Sequence, residues 1–194
     1  MEKPDWVSWD SVRECLNASH KVNKKKGFEM ENSNISTESL IEKTKDAHCI
    51  IALYDNKVVG VACVRIESKK KWWVRGLVAY YLCDAILPEY RGTDVYFGIN
   101  EIRDKIVRDS GVKIHQFNTS VHNKLIIKMN QKYGYKLVNF SPSAKGGKYY
   151  SITMVKWDDG CPFPDWLVEF MFNLSKIVSK TFWKPGYRWR FLSK

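Results

Sequence analysis

The segment Leu82–Tyr96, LCDAILPEYRGTDVY, carries residue types suited to binding an anion. An apolar run that ends at Pro88 predicts a buried strand, and a polar turn with Arg91 and Gly92 follows it. From Val95 onward, apolar residues recur at helical spacing. Because the first amides of a helix lack internal partners and lie at the positive end of its dipole, this strand–loop–helix corner is a candidate phosphate site. The same pattern also fits an ordinary corner of an α/β sheet.

The composition favours an anionic partner. The chain has 32 basic and 21 acidic residues and a net charge of +11, which suits a phosphorylated cofactor, an acidic membrane surface or a nucleic acid. Its five cysteines form no CxxC pair and its four histidines lack ligand spacing, so no metal site is expected. A signal-peptide pattern and a membrane-length apolar run are both missing, which predicts a cytoplasmic protein.

The order of predicted elements indicates a mixed α/β domain with one central sheet flanked by helices. Two helices precede the first strands, and Asp55-Asn56 predicts a tight hairpin turn between two of those strands. The second of the two, Lys57 to Ile66, is nearly all apolar and is therefore expected to be covered on both faces. Ser68 to Lys71 is expected to be a charged turn, and Trp72-Trp73 to pack on a sheet edge or to bind bases or sugars. Further segments then predict helix, strand, helix, strand and strand, up to Trp157.

Beyond Trp157 the pattern changes to one amphipathic helix and a basic aromatic tail. The helix presents Leu167, Phe170, Met171, Leu174, Ile177 and Val178 on one face. The remaining residues alternate cations with aromatic rings. We expect this segment either to dock on the preceding domain or to contact an anionic membrane as a peripheral anchor.

Two motifs resemble the GNAT superfamily of acyl-CoA-dependent N-acyltransferases. LPEYRGTDV matches the pyrophosphate loop of that family in its Pro-x-x-Arg-Gly part. NKLIIKMNQKYGY, from Asn123 to Tyr135, matches an Asn that opens a helix ending in Gly and an aromatic residue. The resemblance implies a GNAT-like mixed central sheet flanked by helices over residues 1–157, with residues 158–194 as an added C-terminal helix and tail.

The resemblance implies acetyl-CoA, or another acyl-CoA, as the cofactor. Its pantetheine arm would pair with the backbone of the strand around Asp84 to Leu87, and the loop amides would bind the pyrophosphate. Asn123 would lie near the pantetheine or the acceptor. The implied cofactor-binding residues are Ala85, Ile86, Leu87, Arg91, Gly92, Thr93, Asp94, Val95, Tyr96 and Asn123.

Three positions depart from the family pattern. Asp94 and Tyr96 stand where the family has small residues that let the backbone approach phosphate. Asp94 is expected to turn away and cap a helix that begins at Val95. Asn130 stands where many members have a tyrosine that protonates the leaving thiolate.

Acyl transfer from a thioester to an amine needs a base, a donor to the oxyanion and an acid for the thiolate. The candidate base is Asp84, the one carboxylate inside an apolar strand, and its alternative role is to pair with a structural Lys or Arg. His122 is a second candidate base, and Tyr133 is the candidate acid. A backbone N–H near Ile86 is the expected oxyanion donor.

The sequence therefore predicts an acyl-CoA-dependent N-acetyltransferase with an amine-bearing acceptor, of which an amino sugar or a surface-glycan precursor is the favoured class. The alternative is a GNAT-like module without turnover that binds nucleic acid or an anionic membrane through its basic surface. Nucleic acid is the less favoured partner of the two.

Overall fold

The computed structural model describes residues 1–25, 34–142 and 149–182. The chain divides into two compact units, Met1–Lys113 and Ile114–Lys194. The first unit contains α1 (Trp9–Lys25), α2 (Thr37–Thr44), β1 (His48–Tyr54), β2 (Lys57–Lys71), β3 (Val74–Tyr81), β4 (Ala85–Ile86), a 3₁₀ turn (Pro88–Tyr90) and α3 (Asp94–Asp109). The second contains β5 (Ile114–Ser120), α4 (Lys124–Lys132), β6 (Lys136–Pro142), β7 (Tyr150–Trp157) and α5 (Asp165–Phe182).

The hairpin predicted between β1 and β2 is confirmed. Asp55 and Asn56 have φ angles of 48° and 60°, and Tyr54 pairs with Lys57 across the turn. Positive φ at both central residues matches the right-handed twist of the flanking strands, so the two-residue loop sets the register of the pair. The register places Cys49 opposite Cys63 and Ile51 opposite Val61.

The prediction of a charged turn at residues 68–71 is wrong, because β2 continues to Lys71 and pairs with β3. The lysines find neighbours within the sheet: Lys69 Nζ lies 2.9 Å from Glu67 Oε1 and 3.6 Å from the centroid of the Tyr80 ring. An opposite charge and an aromatic face offset the low strand propensity of lysine. The turn falls instead at Trp72 and Trp73, and Trp73 is buried, which supports packing.

Helices cover both faces of the sheet in the first unit. Side chains of β2 alternate between the faces. Helices α1 and α2 pack against one set, with Leu16 and Leu40 in the same core as Val59, Val61 and other apolar residues. Helix α3 packs on the opposite set, where Ile99 meets Ile50 and Ala62. The apolar pattern of β2 thus arises because both of its faces are covered, as expected from the sequence.

Four cysteines belong to this core, and the structure shows no disulfide among the described residues. Burial raises the pKa of Cys15 to about 12. Hydrogen bonds with Cys49 and Cys83, together with burial, raise the pKa of Cys63 well above its usual value. Thiols held neutral in this way act as small apolar side chains.

In the second unit β7 lies between β5 and β6 and is antiparallel to both, with Met154 opposite Phe117 on one side and Leu137 on the other. Helix α5 packs along β6. The Phe140 amide donates to Ser175 Oγ at 2.9 Å, and Ser179 Oγ donates to the Phe140 carbonyl at 2.9 Å. Two helix hydroxyls therefore satisfy backbone groups on the outer edge of β6, which confirms that the helix docks on the sheet.

These elements confirm the predicted mixed α/β class and the added C-terminal helix. Since α5 packs on β6, residues 165–182 share their unit with the last three strands. The division into residues 1–157 and 158–194 remains a prediction. None of the helices in the described ranges is long and apolar enough to cross a bilayer.

Candidate active site

The short strand β4 pairs with β2 in the antiparallel sense. Ile86 lies opposite Gly60 and Ala85 opposite Val61, and the Leu87 amide donates to the Val59 carbonyl at 2.9 Å. The segment Asp84 to Leu87 was expected to pair with the pantetheine arm; the strand within it consists of Ala85 and Ile86, and the pairing with the cofactor remains a prediction.

The edge of β4 that faces away from β2 carries the N–H and C=O groups of Ile86. Because the Leu87 amide points toward β2, the alternation of an extended chain directs the N–H and C=O of Ile86 away from β2. The Ile86 carbonyl accepts from Arg91 Nε at 3.2 Å. Within the described segments β2 is the strand that pairs with β4, and no second partner strand is found. The Ile86 N–H is therefore placed to donate to a bound group.

Arg91 ties the loop to the elements around it, and its contact with the cofactor remains a prediction. Its Nη2 donates to the carbonyl and the hydroxyl of Ser19 in α1, at 3.2 and 2.8 Å, while its Nε contacts Ile86. The guanidinium thus joins the end of β4, the loop and α1 through three hydrogen bonds. A planar fork of donors suits such a role better than an ammonium group would.

The loop turns through Gly92 and enters α3 at Thr93. Gly92 has a φ of 81°, a conformation that costs an L-residue roughly 1–2 kcal/mol. Thr93 Oγ1 accepts from the Val95 amide at 3.4 Å and donates to the Tyr90 carbonyl at 2.6 Å. Thr93 is therefore the N-cap, and the helix itself supplies no acceptor for the amides of the following first turn.

Helix α3 begins one residue earlier than expected. Asp94 was expected to cap a helix beginning at Val95, but the helix begins at Asp94 and Thr93 caps it. A carboxylate in the first turn is favoured by the helix dipole, which explains why Asp94 is stable there without capping. The Tyr96 side chain is exposed and contacts the ring of Phe97, with centroids 5.8 Å apart.

Gly60 sets how closely α3 approaches the sheet. A Cβ atom at Gly60 would lie 2.8 Å from Ile99 Cδ1 and 3.0 Å from Val95 Cγ1, both of them in α3. Any larger residue would therefore push against the first two turns of the helix. The absence of a side chain at Gly60 positions the helix N-terminus, and the loop before it, against β2.

Asp84 is paired rather than buried alone. Its Oδ2 lies 2.5 Å from Arg103 Nη1, and its side chain is 49% exposed. The same guanidinium bonds to Asn100 and lies 4.1 Å from the centroid of the Tyr81 ring. This geometry supports the structural alternative, and the role of Asp84 as a base remains a prediction. The signal that we missed was an arginine beside Ile99 and Ile106 on the buried face of α3, where a charge needs a carboxylate partner.

In the second unit Asn123 opens α4, as expected from the motif, and its Nδ2 donates to Thr119 Oγ1 at 3.2 Å. His122 precedes it and is exposed, while Tyr133 lies at the far end of the helix and is also exposed. A helix of nine residues is about 14 Å long. The structure therefore does not bring His122 and Tyr133 together. Asn130, the third departure, donates to the Ile126 carbonyl at 2.9 Å.

Solved structures of similar fold include a PaiA N-acetyltransferase from Thermoplasma acidophilum in complex with coenzyme A. It is 17% identical, with a TM-score of 0.57, over 77% of this chain and 92% of that one. A ribosomal-protein alanine N-acetyltransferase from Escherichia coli is 12% identical, with a TM-score of 0.59, over 81% and 91%. An aminoglycoside 6'-N-acetyltransferase complexed with coenzyme A is 14% identical, with a TM-score of 0.55, over 85% and 98%.

The chain has the GNAT acetyltransferase fold. No sequence-family model matches it, and no significant match was found among curated proteins. The chain therefore shares its fold with these structures at sequence identities of 12–17%.

One polar cluster of this GNAT-fold chain was not expected from its sequence. His115 in β5 is buried, and its Nε2 lies 2.9 Å from Asp158 Oδ2, while Lys156 Nζ lies 3.2 Å from Asp158 Oδ1. Partial burial alone would raise the pKa of Asp158. The hydrogen bonds and charges of His115 and Lys156 outweigh it and hold that pKa below its usual value. The cluster lies where β7 ends, and it joins Lys156 and Asp158 to His115, which is 43 residues before Asp158 in the sequence.

Proposed function

We propose that the protein is an N-acyltransferase that moves an acyl group from acetyl-CoA, or another acyl-CoA, to an amine. The observation that carries this proposal is the corner of β4, Gly92 and α3 in a chain with the GNAT fold. The corner offers first-turn amides to a diphosphate and the outward N–H of Ile86 to the pantetheine or the acyl carbonyl. Two of the solved structures of similar fold are complexes with coenzyme A.

The reaction forms a bond between the amine nitrogen and the acyl carbon, breaks the carbon–sulfur bond and transfers the amine proton, finally, to the thiolate. The Ile86 N–H is the proposed donor to the oxyanion, and Arg91 holds it in place through the Ile86 carbonyl. Asp84 is the proposed base and Tyr133 the proposed acid. His122 is the alternative base in a mechanism that does not use Tyr133, since the two lie at opposite ends of α4. Asn123 is proposed to contact the cofactor.

The proposed acceptor is an amino sugar linked to phosphate, as in a nucleotide- or lipid-linked glycan precursor. One solved structure of similar fold acts on an aminoglycoside. The net charge of +11 disfavours a polycationic acceptor and favours one whose amine is accompanied by negative charge. Peripheral contact with a membrane is a separate proposal, because it rests on helix α5 and not on the loop.

Binding of acetyl-CoA, measured by calorimetry and thermal shift, tests the cofactor site. At a free ligand concentration about 100 times Kd, binding adds about 2.7 kcal/mol to the free energy of unfolding. A chain of this length then melts about 5–10 °C higher. No shift with acetyl-CoA or longer acyl-CoAs would overturn the proposal.

A matched pair of glycine variants assigns the binding to the loop. Gly92 and Gly111 stand at opposite ends of α3, both have positive φ, and a Cβ atom would meet nothing within 4 Å at either position. Gly92→Ala and Gly111→Ala therefore strain the backbone similarly. We expect acetyl-CoA affinity to fall about tenfold or more in Gly92→Ala, because the loop amides move, and to stay unchanged in Gly111→Ala.

Turnover is tested by following release of free thiol from acetyl-CoA in the presence of amino sugars and their nucleotide-linked forms. Binding without thiol release from any amine would favour the non-catalytic alternative. The pH profile of kcat in Asp84→Asn and His122→Gln then separates a base from a structural residue, since loss of the base removes the acidic limb of the profile. An unchanged profile in Asp84→Asn with lowered stability would leave Asp84 as the partner of Arg103 alone.

A further inference from the structure

Helix α5 has two apolar sides, and the sheet covers one of them. The side toward β6 contains Val168, Phe172, Ser175 and Ser179. The neighbouring side faces solvent with five large apolar residues, which we call the α5 stripe: Trp166, Phe170, Leu174, Ile177 and Val178. Docking on the sheet therefore does not account for the whole apolar surface of the helix.

The α5 stripe is continuous. Its members are separated by three or four positions, so they stack along one side of the helix for about 18 Å. Single exposed apolar residues are normal on a protein surface, whereas a contiguous row of this length marks a surface that binds something.

The charges of the segment identify the kind of partner. Its acids, Asp165 and Glu169, lie at the start of α5, and its cations, Lys176 and Lys180, lie in the second half. The twelve residues that follow the described part of the helix, 183–194, contain four further cations, four aromatic residues and no acid. An apolar row continued by cations and aromatics matches a layer with apolar chains inside and negative groups at its surface.

We propose that the α5 stripe binds the surface of an anionic lipid bilayer. The stripe enters the boundary between headgroups and acyl chains, with Lys176 and Lys180 at the level of the lipid phosphates, and the net positive charge of the sequence that follows favours negatively charged lipid. Ser175 and Ser179 keep α5 attached to β6, so the helix lies on the membrane as part of its unit. A second copy of the chain is a poorer partner, because both copies would bring the same cationic segment and a net charge of +11.

The test is co-sedimentation of the full chain with vesicles of phosphatidylcholine alone and of phosphatidylcholine mixed with phosphatidylserine. We expect binding to the mixed vesicles, weakened but not abolished by high salt, and much weaker binding to phosphatidylcholine. Failure to pellet with the mixed vesicles even at low salt would overturn the proposal.

Two exposed tryptophans give a matched control. Trp166 in the stripe is 69% exposed and Trp6, in the other unit, is 64% exposed. Trp166→Ser should lower the partition coefficient on the order of tenfold, and Trp6→Ser should leave it unchanged. Both variants keep the buried side of α5, and circular dichroism checks that they fold.

Two further results would each contradict the proposal. If the triple variant Trp166→Ser, Phe170→Ser, Ile177→Ser binds the mixed vesicles as well as the unmodified chain, the attraction is one of charge alone. If the unmodified chain elutes as a dimer, the triple variant elutes as a monomer, and neither binds vesicles, the stripe is an interface between copies. The inference does not depend on acyl transfer, so a failed activity assay leaves it standing.

Discussion

Replacing Gly60 with valine tests whether the close approach of α3 to β2 positions the loop. The first carbon of the new side chain would lie 2.8 Å from Ile99 Cδ1 and 3.0 Å from Val95 Cγ1. Favourable carbon contacts lie near 3.5–4.0 Å, so the helix must move by roughly half an ångström or more. Overpacking of this kind costs about 1–3 kcal/mol. The higher strand propensity of valine contributes less than about 1 kcal/mol, so the substitution should lower the stability of the protein.

The expected result is a melting temperature about 3–10 °C lower and an acetyl-CoA affinity reduced about tenfold. The second effect follows because Val95 lies in the first turn, beside the amides of the loop. Scanning calorimetry and isothermal titration measure the two quantities. Gly98→Ala is the control, since Gly98 lies in the same helix and a Cβ there would meet nothing within 4 Å. It should stabilise the helix by up to about 1 kcal/mol without changing affinity. Unchanged affinity in a Gly60→Val protein of normal stability would refute this reasoning.

Three other predictions concern single charges. Asp94→Asn should raise acetyl-CoA affinity about three- to tenfold at low salt, because a carboxylate in the first turn repels a diphosphate, while Asp104→Asn later in α3 should leave the affinity unchanged. Equal affinities of the two variants in calorimetric titrations would show that the diphosphate lies elsewhere. Arg91→Ala should cost about 1–3 kcal/mol and weaken acetyl-CoA binding, and Arg91→Lys should not restore the binding, since lysine cannot form the three bonds; full rescue in the titration would contradict this. The lowered pKa of Asp158 stabilises the fold above about pH 3.8, and this stabilisation is lost as pH falls further. The Asp158→Asn variant should therefore be less stable at neutral pH, and its melting temperature should decline less steeply on acidification. Parallel curves of melting temperature against pH for the two proteins would show that Asp158 does not contribute in this way.

Local chemistry made much of the fold predictable from the sequence. The Asp55-Asn56 turn was identifiable because few residues tolerate positive φ, and the apolar run of β2 indicated a strand covered on both faces. The loop was identifiable from Arg91 and Gly92, which stand at the positions that the GNAT resemblance assigns. Charged residues misled the prediction at Lys69. Glu67 lies two residues before it on the same strand, but the ring of Tyr80 is brought beside it only by the pairing of β2 with β3.

The sequence by itself determined the order of elements, the position of the loop and the amphipathic character of α5, since each depends on neighbouring residues. Only the tertiary structure decided that Asp84 pairs with Arg103, that Arg91 reaches Ser19, and that one apolar side of α5 stays exposed. Those facts depend on residues distant in the chain meeting in space, and a pattern of spacing records which residues are apolar but not which surface covers them.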